Sequence, residues 1–387
     1  MTAAAMLHPN EAPAHAELMR RAAGLVPILR ERAARGEKLR RVPDETIADL
    51  VDSKILRVCQ PRRFGGSELG YDALCEVSIE LGRGDGSQAW VANVYSEHAY
   101  IAGMFSDEAQ HEVWDASLDT LISASIVPQG NKVIEVDGGY RLQGKWSFAS
   151  GVHHANWLLI SEVAETKAGK REHLYCLLPK ADVTVDDDWH TVGMVGTGSA
   201  SVMLDDVFVP GHRVITNADV VAGTCPGSAI NTAPLYRMPI MGFAQLALAS
   251  VPVGVAAGMV EDFIQQVRGR PGQAGAELLS ERIAEASAEV RAATLLLVDT
   301  ARRNMQRLAD GIAIGEAEAA LSMRDSGYAM SLAKRAAGRL FEATGGRGLK
   351  LDAPMQRAFR DVYGGASHGS LSWERSALRF AQYALTG

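Results

Sequence analysis

The period of the apolar residues changes twice along this chain. Residues from about 12 to 118 place apolar side chains three to four positions apart, which is typical of amphipathic helices. Residues from about 120 to 210 contain short runs of β-branched and aromatic residues, which favour strands. From about residue 240 onward, long segments rich in Ala, Leu, Glu and Arg restore the helical period. This succession predicts an α+β fold in which helices and strands occupy separate domains.

The middle region is predicted to form a small antiparallel β-barrel or sandwich. An Asp-Gly-Gly turn at 137–139 lies between two apolar stretches and is typical of a hairpin. Further short strands are predicted at 157–160, 174–177 and 202–204, and the run at 207–210 closes the region. Several strands this closely spaced favour a barrel or a sandwich.

The C-terminal region is predicted to form a four-helix bundle. Helices that are this long and this rich in Ala usually pack side by side. The four predicted segments are 242–267, 277–308, 316–342 and 370–385.

These regions divide the chain into three predicted domains. They are an N-terminal helical domain (1–119), a middle β domain (120–222) and a C-terminal helical bundle domain (223–387). A stretch rich in Gly, Thr, Pro, Ser and Asn at 223–234 is the predicted linker into the bundle.

Charge and cysteine content argue against several functional classes. A net charge of −7 over 387 residues provides no basic surface, so neither a nucleic acid nor an anionic membrane is an expected partner. We identify no apolar run that approaches the roughly 20 residues needed to span a bilayer, and no signal-peptide core. The four cysteines are far apart, without a CxxC pair, which favours reduced thiols in the cytoplasm. No metal site is predicted, because the adjacent histidines at 153–154 would point to opposite faces of a strand.

Four strings resemble the acyl-CoA dehydrogenase superfamily and together sample nearly the whole chain. They are "PDETIADLVDSKILRVCQPRRFGG" at 43–66, "LQGKWSFASG" at 142–151, "VGTGSASVMLDDVFVP" at 195–210 and "ATGGRGL" at 343–349. The second and third are similar to the flavin-dependent monooxygenases of this fold. That branch includes p-hydroxyphenylacetate hydroxylase oxygenase components, 3-HSA hydroxylase and indole oxygenases. The resemblance implies an acyl-CoA dehydrogenase-like fold with the same three domains.

The stretch 360–368 departs from the dehydrogenase pattern. Many acyl-CoA dehydrogenases carry a catalytic glutamate shortly after an Arg-Asp pair. Here no carboxylate follows Asp361 until Glu374, and His368 lies near that position. Removing an α-proton from an acyl thioester needs a positioned carboxylate, so the stretch argues against β-oxidation. Two alternatives stay open, namely an FAD-dependent acyl-CoA dehydrogenase with a relocated base and a catalytically silent helical scaffold.

The resemblance implies the oxygenase component of a two-component monooxygenase. Reduced flavin (FMNH2 or FADH2) would bind, O2 would add to form a C4a-hydroperoxyflavin, and a phenol-type or indole-type aromatic substrate would be hydroxylated or oxidised. The string at 196–201 misses GxGxxG at its last position and precedes a strand, so it is not a dinucleotide fingerprint. We therefore expect a separate NAD(P)H:flavin reductase as a partner. The family also implies a homotetramer.

Two histidines are candidate catalytic residues in such a reaction. His368 lies near the dehydrogenase base position, and the position of His98 resembles a hydroxylase histidine that meets the substrate hydroxyl. With an unperturbed pKa near 6.5, histidine can act as a base toward a ring O–H or N–H. Losing that proton makes the ring more electron-rich, which favours attack on an electrophilic oxygen. The ordinary alternative is local packing in a loop for His368 and in a core for His98.

Polar and aromatic residues near His98 are candidates for the substrate pocket. Ser125 resembles a polar pocket position and is a third candidate catalytic residue. Ser123 is the alternative register, because strand alternation puts both serines on one face. Tyr95 and Tyr100 are candidates for the pocket wall, or equally for the core.

Two groups of residues are candidates for binding the flavin. By resemblance, Trp146, Ser147, Phe148 and Ser150 form the strand that contacts the ring, since an aromatic can stack on it and a hydroxyl can hydrogen-bond N5. Gly345 and Gly346 would let backbone N–H groups approach phosphate. The remaining candidates for the phosphate are Arg268 and, more weakly, Arg237.

Overall fold

Five helices precede the first strand in the computed structural model, which describes residues 12–268 and 276–386. They are α1 (Ala12–Leu39), α2 (Asp44–Asp52), α3 (Tyr71–Gly82), α4 (Gly86–Ala102) and α5 (Asp107–Trp114). Asp85 caps α4 by accepting a hydrogen bond from the backbone N–H of Gln88 (2.9 Å). The period of the apolar residues thus predicted the helical character of this region correctly.

Eight strands form a mixed sheet after α5. They are β1 (Ile122–Ser125), β2 (Lys132–Val136), β3 (Gly139–Ala149), β4 (Trp157–Glu165), β5 (Arg171–Pro179), β6 (Thr184–Asp186), β7 (Ala200–Pro210) and β8 (Val214–Thr216). The order is β6-β7-β3-β2-β4-β5-β8, with β1 paired to β4. Most strand pairs are antiparallel as predicted, but β1 runs parallel to β4 and β2 meets β4 in parallel at one residue pair. The β2–β3 hairpin lies between β1 and β4 in the chain, so the connection from β1 to its parallel neighbour β4 is a crossover.

The C-terminal region contains one helix more than predicted. After the short α6 (Asn217–Ala222) come α7 (Ala244–Arg268), α8 (Ala276–Ala309), α9 (Glu316–Ala343), α10 (Pro354–Ala366) and α11 (Trp373–Thr386). The missed helix is α10, whose paired glycines 364–365 weaken the helical pattern. A Cβ at Gly365 would lie 2.7 Å from Pro252 Cγ of α7. Glycine is therefore needed there so that α10 can approach α7.

Two cores support this arrangement. The larger is helical and joins the N-terminal helices to α7, α8 and α9, while the smaller fills the β domain. Every residue of α4 is buried, and the helix contacts α3, α7 and β1. Side chains on α4 therefore face the helical core on some sides and the β domain on another.

The predicted linker at 223–234 is anchored rather than free. The backbone N–H of Gly227 donates to the carbonyl oxygen of Met104 (2.8 Å). The Asn231 amide is buried and donates to the carbonyl oxygen of Gly103 (2.7 Å) and to Gln110 Oε1 (2.9 Å). The polar residues that suggested a linker thus bind the C-terminal end of α4.

The expectation that no apolar run is long enough to span a bilayer needs correction. Within the described ranges, α7 (Ala244–Arg268) is long and apolar enough by length and composition. However, 78% of its most apolar window is buried inside the protein. Such burial is typical of the central helix of a bundle, which is apolar on all sides because neighbours cover it.

Candidate active site

His98 is held as a neutral base on α4. Its imidazole is 3% exposed, and Nδ1 lies 2.7 Å from the carbonyl oxygen of Ile122. Because a carbonyl oxygen can only accept, Nδ1 carries the hydrogen and Nε2 is left as an acceptor. Desolvation lowers the pKa of His98 to about 4, although the bond to Ile122 opposes that shift.

His368 follows the end of α10 and faces α4. Its Nδ1 lies 2.8 Å from the hydroxyl oxygen of Ser370 and 3.4 Å from the backbone nitrogen of Ser370. Since the N–H on that nitrogen can only donate, the hydrogen of the neutral ring is assigned to Nε2. The ring centroid lies 5.9 Å from that of Trp90. Although His368 is exposed, desolvation by the protein around its ring lowers its pKa.

Ser123 and Ser125 point from β1 toward β3. The hydroxyl of Ser123 donates to the carbonyl oxygen of Ser150, and that of Ser125 donates to the carbonyl oxygen of Ser147, both over 2.8 Å. Their common direction follows from strand alternation. The sequence left the two registers open, and the structure shows that both serines form hydrogen bonds that connect β1 to the end of β3.

The backbone of β3 turns sharply at Phe148. The register with β7 breaks between Trp146 and Ala149. Phe148 has a φ of +70°, a left-handed conformation that costs a residue with a Cβ roughly 1–2 kcal/mol. Its side chain is 67% exposed and meets Trp189 edge-on, with ring centroids 6.2 Å apart. A strained backbone that presents an apolar ring to solvent points to a ligand-binding corner.

Ser150 lies behind this corner in a chain of buried hydroxyls. Its Oγ accepts from Trp90 Nε1 (3.2 Å) and lies 2.8 Å from Ser199 Oγ. Ser199 Oγ in turn lies 2.7 Å from Thr197 Oγ1. Trp90, Thr197 and Ser199 were not predicted from the sequence. The available signal was a Thr-Gly-Ser run directly before an apolar strand.

Tyr95 and Tyr100 lie in packed surroundings, which agrees with the core alternative that the sequence left open beside the pocket wall. The hydroxyl of Tyr95 donates to the carbonyl oxygen of Gly151 (2.5 Å) and so holds the turn after β3. Tyr100 is fully buried, and its ring packs edge-on against Tyr71 with centroids 5.9 Å apart. The physical reason is that α4 is covered on every side.

Trp146 also does not have its predicted role of contacting the flavin ring. It is fully buried in the core of the β domain, beside residues such as Leu142 and Val202. A ring enclosed there cannot stack on a flavin, so Phe148 and Ser147 remain as the outward-facing candidates on this strand. Alternation along β3 explains the outcome, because Trp146 points inward while the bulge turns Phe148 outward.

A cavity of about 490 Å³ lies where α9 ends. Gly345 and Gly346 line it together with Phe263 and Val267 of α7 and Leu279 of α8. A Cβ at either glycine would meet nothing within 4 Å, and Gly345 has a φ of +60°. The glycine backbone therefore faces open space, as a phosphate-binding turn requires.

The two predicted phosphate-binding arginines are far from each other. Arg268 is the exposed last residue of α7 and follows directly after the cavity lining. Arg237 donates to the carbonyl oxygen of Leu308 (3.1 Å). At 1.5 Å per residue, Leu308 is roughly 44 Å along α8 from Leu279 in the cavity wall. The prediction that Arg237 and Gly345 bind the same phosphate is therefore wrong within one chain, because the two residues lie near opposite ends of α8.

Two separate places in the chain fit parts of a flavin. The corner at Phe148 offers an exposed aromatic ring with hydroxyl and backbone groups around it, which suits a flat ring with polar edges. The glycine-lined cavity suits a phosphate. The 13 residues of α10 run between the cavity and His368, a length of about 20 Å.

One surface cluster brings possible metal ligands together. Ligand atoms of Glu108, Glu112 and His212 lie within 4.8 Å of one another. However, Glu112 accepts a hydrogen bond from Arg213, and this positive charge competes with a cation. Glu108 and Glu112 lie on α5 and His212 lies in the turn between β7 and β8, so the cluster contains none of the candidate catalytic residues.

Solved structures share this architecture over the whole chain. Residues 246–373 match the family model for the acyl-CoA dehydrogenase C-terminal domain. The 3-HSA hydroxylase from Rhodococcus sp. RHA1 has a TM-score of 0.91 and 32% identity, and the match covers 95% of this chain and 96% of that one. XiaF from Streptomyces sp., in complex with FADH2 and glycerol, has a TM-score of 0.89 and 26% identity, with 97% and 96% covered.

Sequence relatives identify the branch of the fold. The oxygenase component of FADH(2)-dependent resorcinol hydroxylase from Rhizobium sp. (strain MTP-10005) is 37% identical over 97% of this chain and 95% of its own length. The oxygenase subunit HsaA from Rhodococcus jostii is 33% identical over 94% and 96%. These matches confirm the predicted fold and reaction class. The chain belongs to the oxygenase components of flavin-dependent monooxygenases, a family of enzymes with the acyl-CoA dehydrogenase fold.

Proposed function

We propose that this oxygenase hydroxylates a small phenol, with an indole as the second candidate class of substrate. Relatives are named for resorcinol, p-hydroxyphenylacetate and indole-3-acetate. Each of these is an aromatic ring with an O–H or N–H group. Bound reduced flavin would supply the two electrons with which one oxygen atom of O2 enters the substrate while the other leaves as water.

The observation that carries this proposal is the opposite hydrogen polarity of the two histidines. His98 keeps a free acceptor at Nε2 and stays neutral because its pKa is lowered to about 4. It can therefore accept a hydrogen bond from a ring O–H or N–H and orient the ring. His368 carries its hydrogen on Nε2 and can donate to a substrate oxygen.

The two histidines lie at different heights along α4. His368 lies beside Trp90, which is eight residues before His98 on α4. This separation corresponds to about 12 Å along the helix axis. The two histidines therefore meet α4 at positions about two helical turns apart.

The carboxylates required by the dehydrogenase alternative are engaged elsewhere. Asp361 Oδ1 accepts from the backbone N–H of Met194 (2.7 Å), and burial together with the nearby Asp85 carboxyl raises the pKa of Asp361. Glu374 Oε2 accepts from the hydroxyl of Ser372 at the surface (2.8 Å). Each of these two carboxylates is thus already engaged in a hydrogen bond.

We extend the proposal to cofactor supply, assembly and location. The term "oxygenase component" in the names of relatives implies a separate component that supplies reduced flavin. We propose reduced FAD, delivered by an NAD(P)H:flavin reductase to a homotetramer. A cytoplasmic location agrees with four buried free cysteines.

The test is single-turnover oxidation of bound reduced flavin with a panel of substrates. Anaerobic protein with reduced FAD or FMN is mixed with oxygenated buffer containing resorcinol, p-hydroxyphenylacetate or indole-3-acetate. We expect more than half of the flavin oxidised to yield hydroxylated phenol, with less product from the indole. In His98→Gln, which keeps a donor toward Ile122, product per flavin should fall at least tenfold while released peroxide rises.

Two results would reject the proposal. One is peroxide without oxygenated product for every phenol and indole. The other is bleaching of protein-bound oxidised FAD by an acyl-CoA, which would favour the dehydrogenase alternative. An unchanged product yield in His98→Gln would remove the proposed role of His98 alone.

A further inference from the structure

Two side-chain amides replace a missing strand along the edge of β3. Asn131 Oδ1 accepts from the backbone N–H of Lys145 (3.0 Å), and its Nδ2 donates to the carbonyl oxygen of Lys145 (2.9 Å). Gln129 repeats this pattern two residues further along, where Oε1 accepts from Ser147 N–H (3.0 Å) and Nε2 donates to Ser147 O (3.3 Å). β2 pairs with β3 only as far as Gln143. The two amides therefore satisfy backbone groups that the sheet leaves unpaired.

A buried carboxylate fixes the segment that carries these amides. Glu162 is 2% exposed and accepts from the backbone N–H groups of Gln129 (3.0 Å), Gly130 (3.2 Å) and Asn131 (3.0 Å). Three charge-assisted bonds from one loop to one carboxylate leave it little freedom. The Gln129 side chain thus starts from a fixed backbone.

Gln129 differs from Asn131 in one respect, because it also reaches Ser125. Its Nε2 lies 3.0 Å from Ser125 Oγ. The orientation of the amide is not ambiguous, since Ser147 N–H can only donate and so must face Oε1. Nε2 therefore donates to Ser125, and the hydroxyl hydrogen of Ser125 goes to Ser147 O (2.8 Å). Ser125 is left with one lone pair and no hydrogen for a ligand.

We propose that Gln129 is a positioning residue that presents Ser125 to the flavin as a hydrogen-bond acceptor, and that this polarity favours reduced over oxidised flavin. Reduced flavin carries an N–H at N5, whereas the same nitrogen in oxidised flavin is an acceptor without hydrogen. An acceptor on the protein therefore forms a hydrogen bond with N5–H of reduced flavin, whereas it is repelled by the N5 lone pair of oxidised flavin. The inference rests on the proposed placement of the flavin ring beside Phe148, which directly follows Ser147.

The test compares the affinities of the intact protein for oxidised and reduced FAD under anaerobic conditions. In Gln129→Glu the new carboxylate still accepts from Ser147 N–H but cannot donate, so the hydroxyl of Ser125 is free to turn. The ratio of the dissociation constants, oxidised over reduced, should fall about tenfold, or about 1.4 kcal/mol. Asn131→Asp is the matched control, because it makes the same amide-to-carboxylate change beside the backbone of Lys145 and has no contact with Ser125. Its ratio of dissociation constants should stay within twofold of that of the unmodified protein.

A double variant separates hydrogen polarity from simple charge repulsion. In a Ser125→Ala background, Gln129→Glu should change the ratio less than twofold, because the hydroxyl that it acts through is absent. A full tenfold effect in that background would overturn the inference. So would an unchanged ratio in Gln129→Glu with normal thermal unfolding. If the unmodified protein binds neither form of flavin, the proposed function fails and this inference fails with it.

Discussion

Phe148 combines three unfavourable features at one residue. Its backbone is left-handed, its large apolar ring is 67% exposed, and it sits where β3 loses register with β7. Each costs free energy, and a substitution by glycine would remove the backbone cost. Their coincidence beside Ser125 and Ser147 is explained if the ring covers a bound cofactor.

We predict that Phe148→Gly stabilises the free protein and weakens flavin binding. Glycine relieves roughly 1–2 kcal/mol of left-handed strain and loses about 0.5–1 kcal/mol through the entropy of the unfolded chain, so a small gain remains. Flavin affinity should fall about tenfold, because the covering ring is lost. Thermal unfolding and fluorescence titration measure the two effects.

Phe148→Ala is the matched control, since it removes the ring but keeps the strained backbone. Its flavin affinity should fall as in the glycine variant, without the gain in unfolding temperature. Unchanged affinity in both variants would show that the ring does not contact the flavin.

At the scale of elements, α4 places two ionisable groups in the core at adjacent positions. Burial raises the pKa of Glu97 to about 8, although a hydrogen bond with Tyr71 opposes that shift, and lowers the pKa of His98 to about 4. Both side chains are therefore largely neutral near pH 7. The helix can pass through the core at that pH without carrying a buried charge.

We predict that Glu97 makes folding weaker as the pH rises. Its pKa is about 8 when folded, against an ordinary value of 4.5. Between these values the unfolded chain releases the proton while the folded chain keeps it, at a loss of about 1.4 kcal/mol per pH unit. Relative to the unmodified protein, Glu97→Gln should therefore gain roughly 2–4 kcal/mol between pH 5 and pH 8. Urea unfolding at several pH values measures this difference.

The exposed Glu281→Gln on α8 serves as the control for that measurement. Its stability relative to the unmodified protein should not vary with pH over the same range. If the advantage of Glu97→Gln is constant from pH 5 to pH 8, Glu97 does not titrate with a raised pKa.

At the scale of the whole molecule, the candidate flavin-binding features do not meet within one chain. The glycine-lined cavity lies where α9 ends, Arg237 contacts the other end of α8, and the corner at Phe148 lies on β3. Exposed apolar side chains occur on α11, where Leu378 is 62% exposed. Both facts are explained if neighbouring chains complete each other's sites.

We predict that light scattering will give the mass of four chains, and that Leu378→Glu will shift the protein to smaller species. Flavin affinity should fall at least tenfold in that variant, because the site loses the groups of the neighbouring chain. Leu118→Glu, at an exposed leucine before β1, is the control and should change neither quantity. A monomer with full flavin affinity would contradict the shared site.

Much of the fold was predictable from local chemistry. The period of apolar residues separated helices from strands, because each structure repeats its side-chain directions with its own spacing. α10 was not predicted, because its glycines weaken the helical pattern and are needed for its contact with Pro252 on α7. That need is set by the distance between helices, which local sequence does not contain.

For the site, the sequence determined which residue types are present and tertiary structure decided their roles. His98, His368 and Ser125 were named from resemblance, but their hydrogen polarity depends on partners distant in the chain or set by a local turn. Trp146 was assigned to the flavin by resemblance and Tyr100 to the pocket wall or equally to the core, and the fold enclosed both in cores. Sequence thus established the fold and the family, since these follow from patterns along the chain. Which side chains face a ligand was decided only by packing, because burial and hydrogen-bond direction depend on residues brought together from separate parts of the chain.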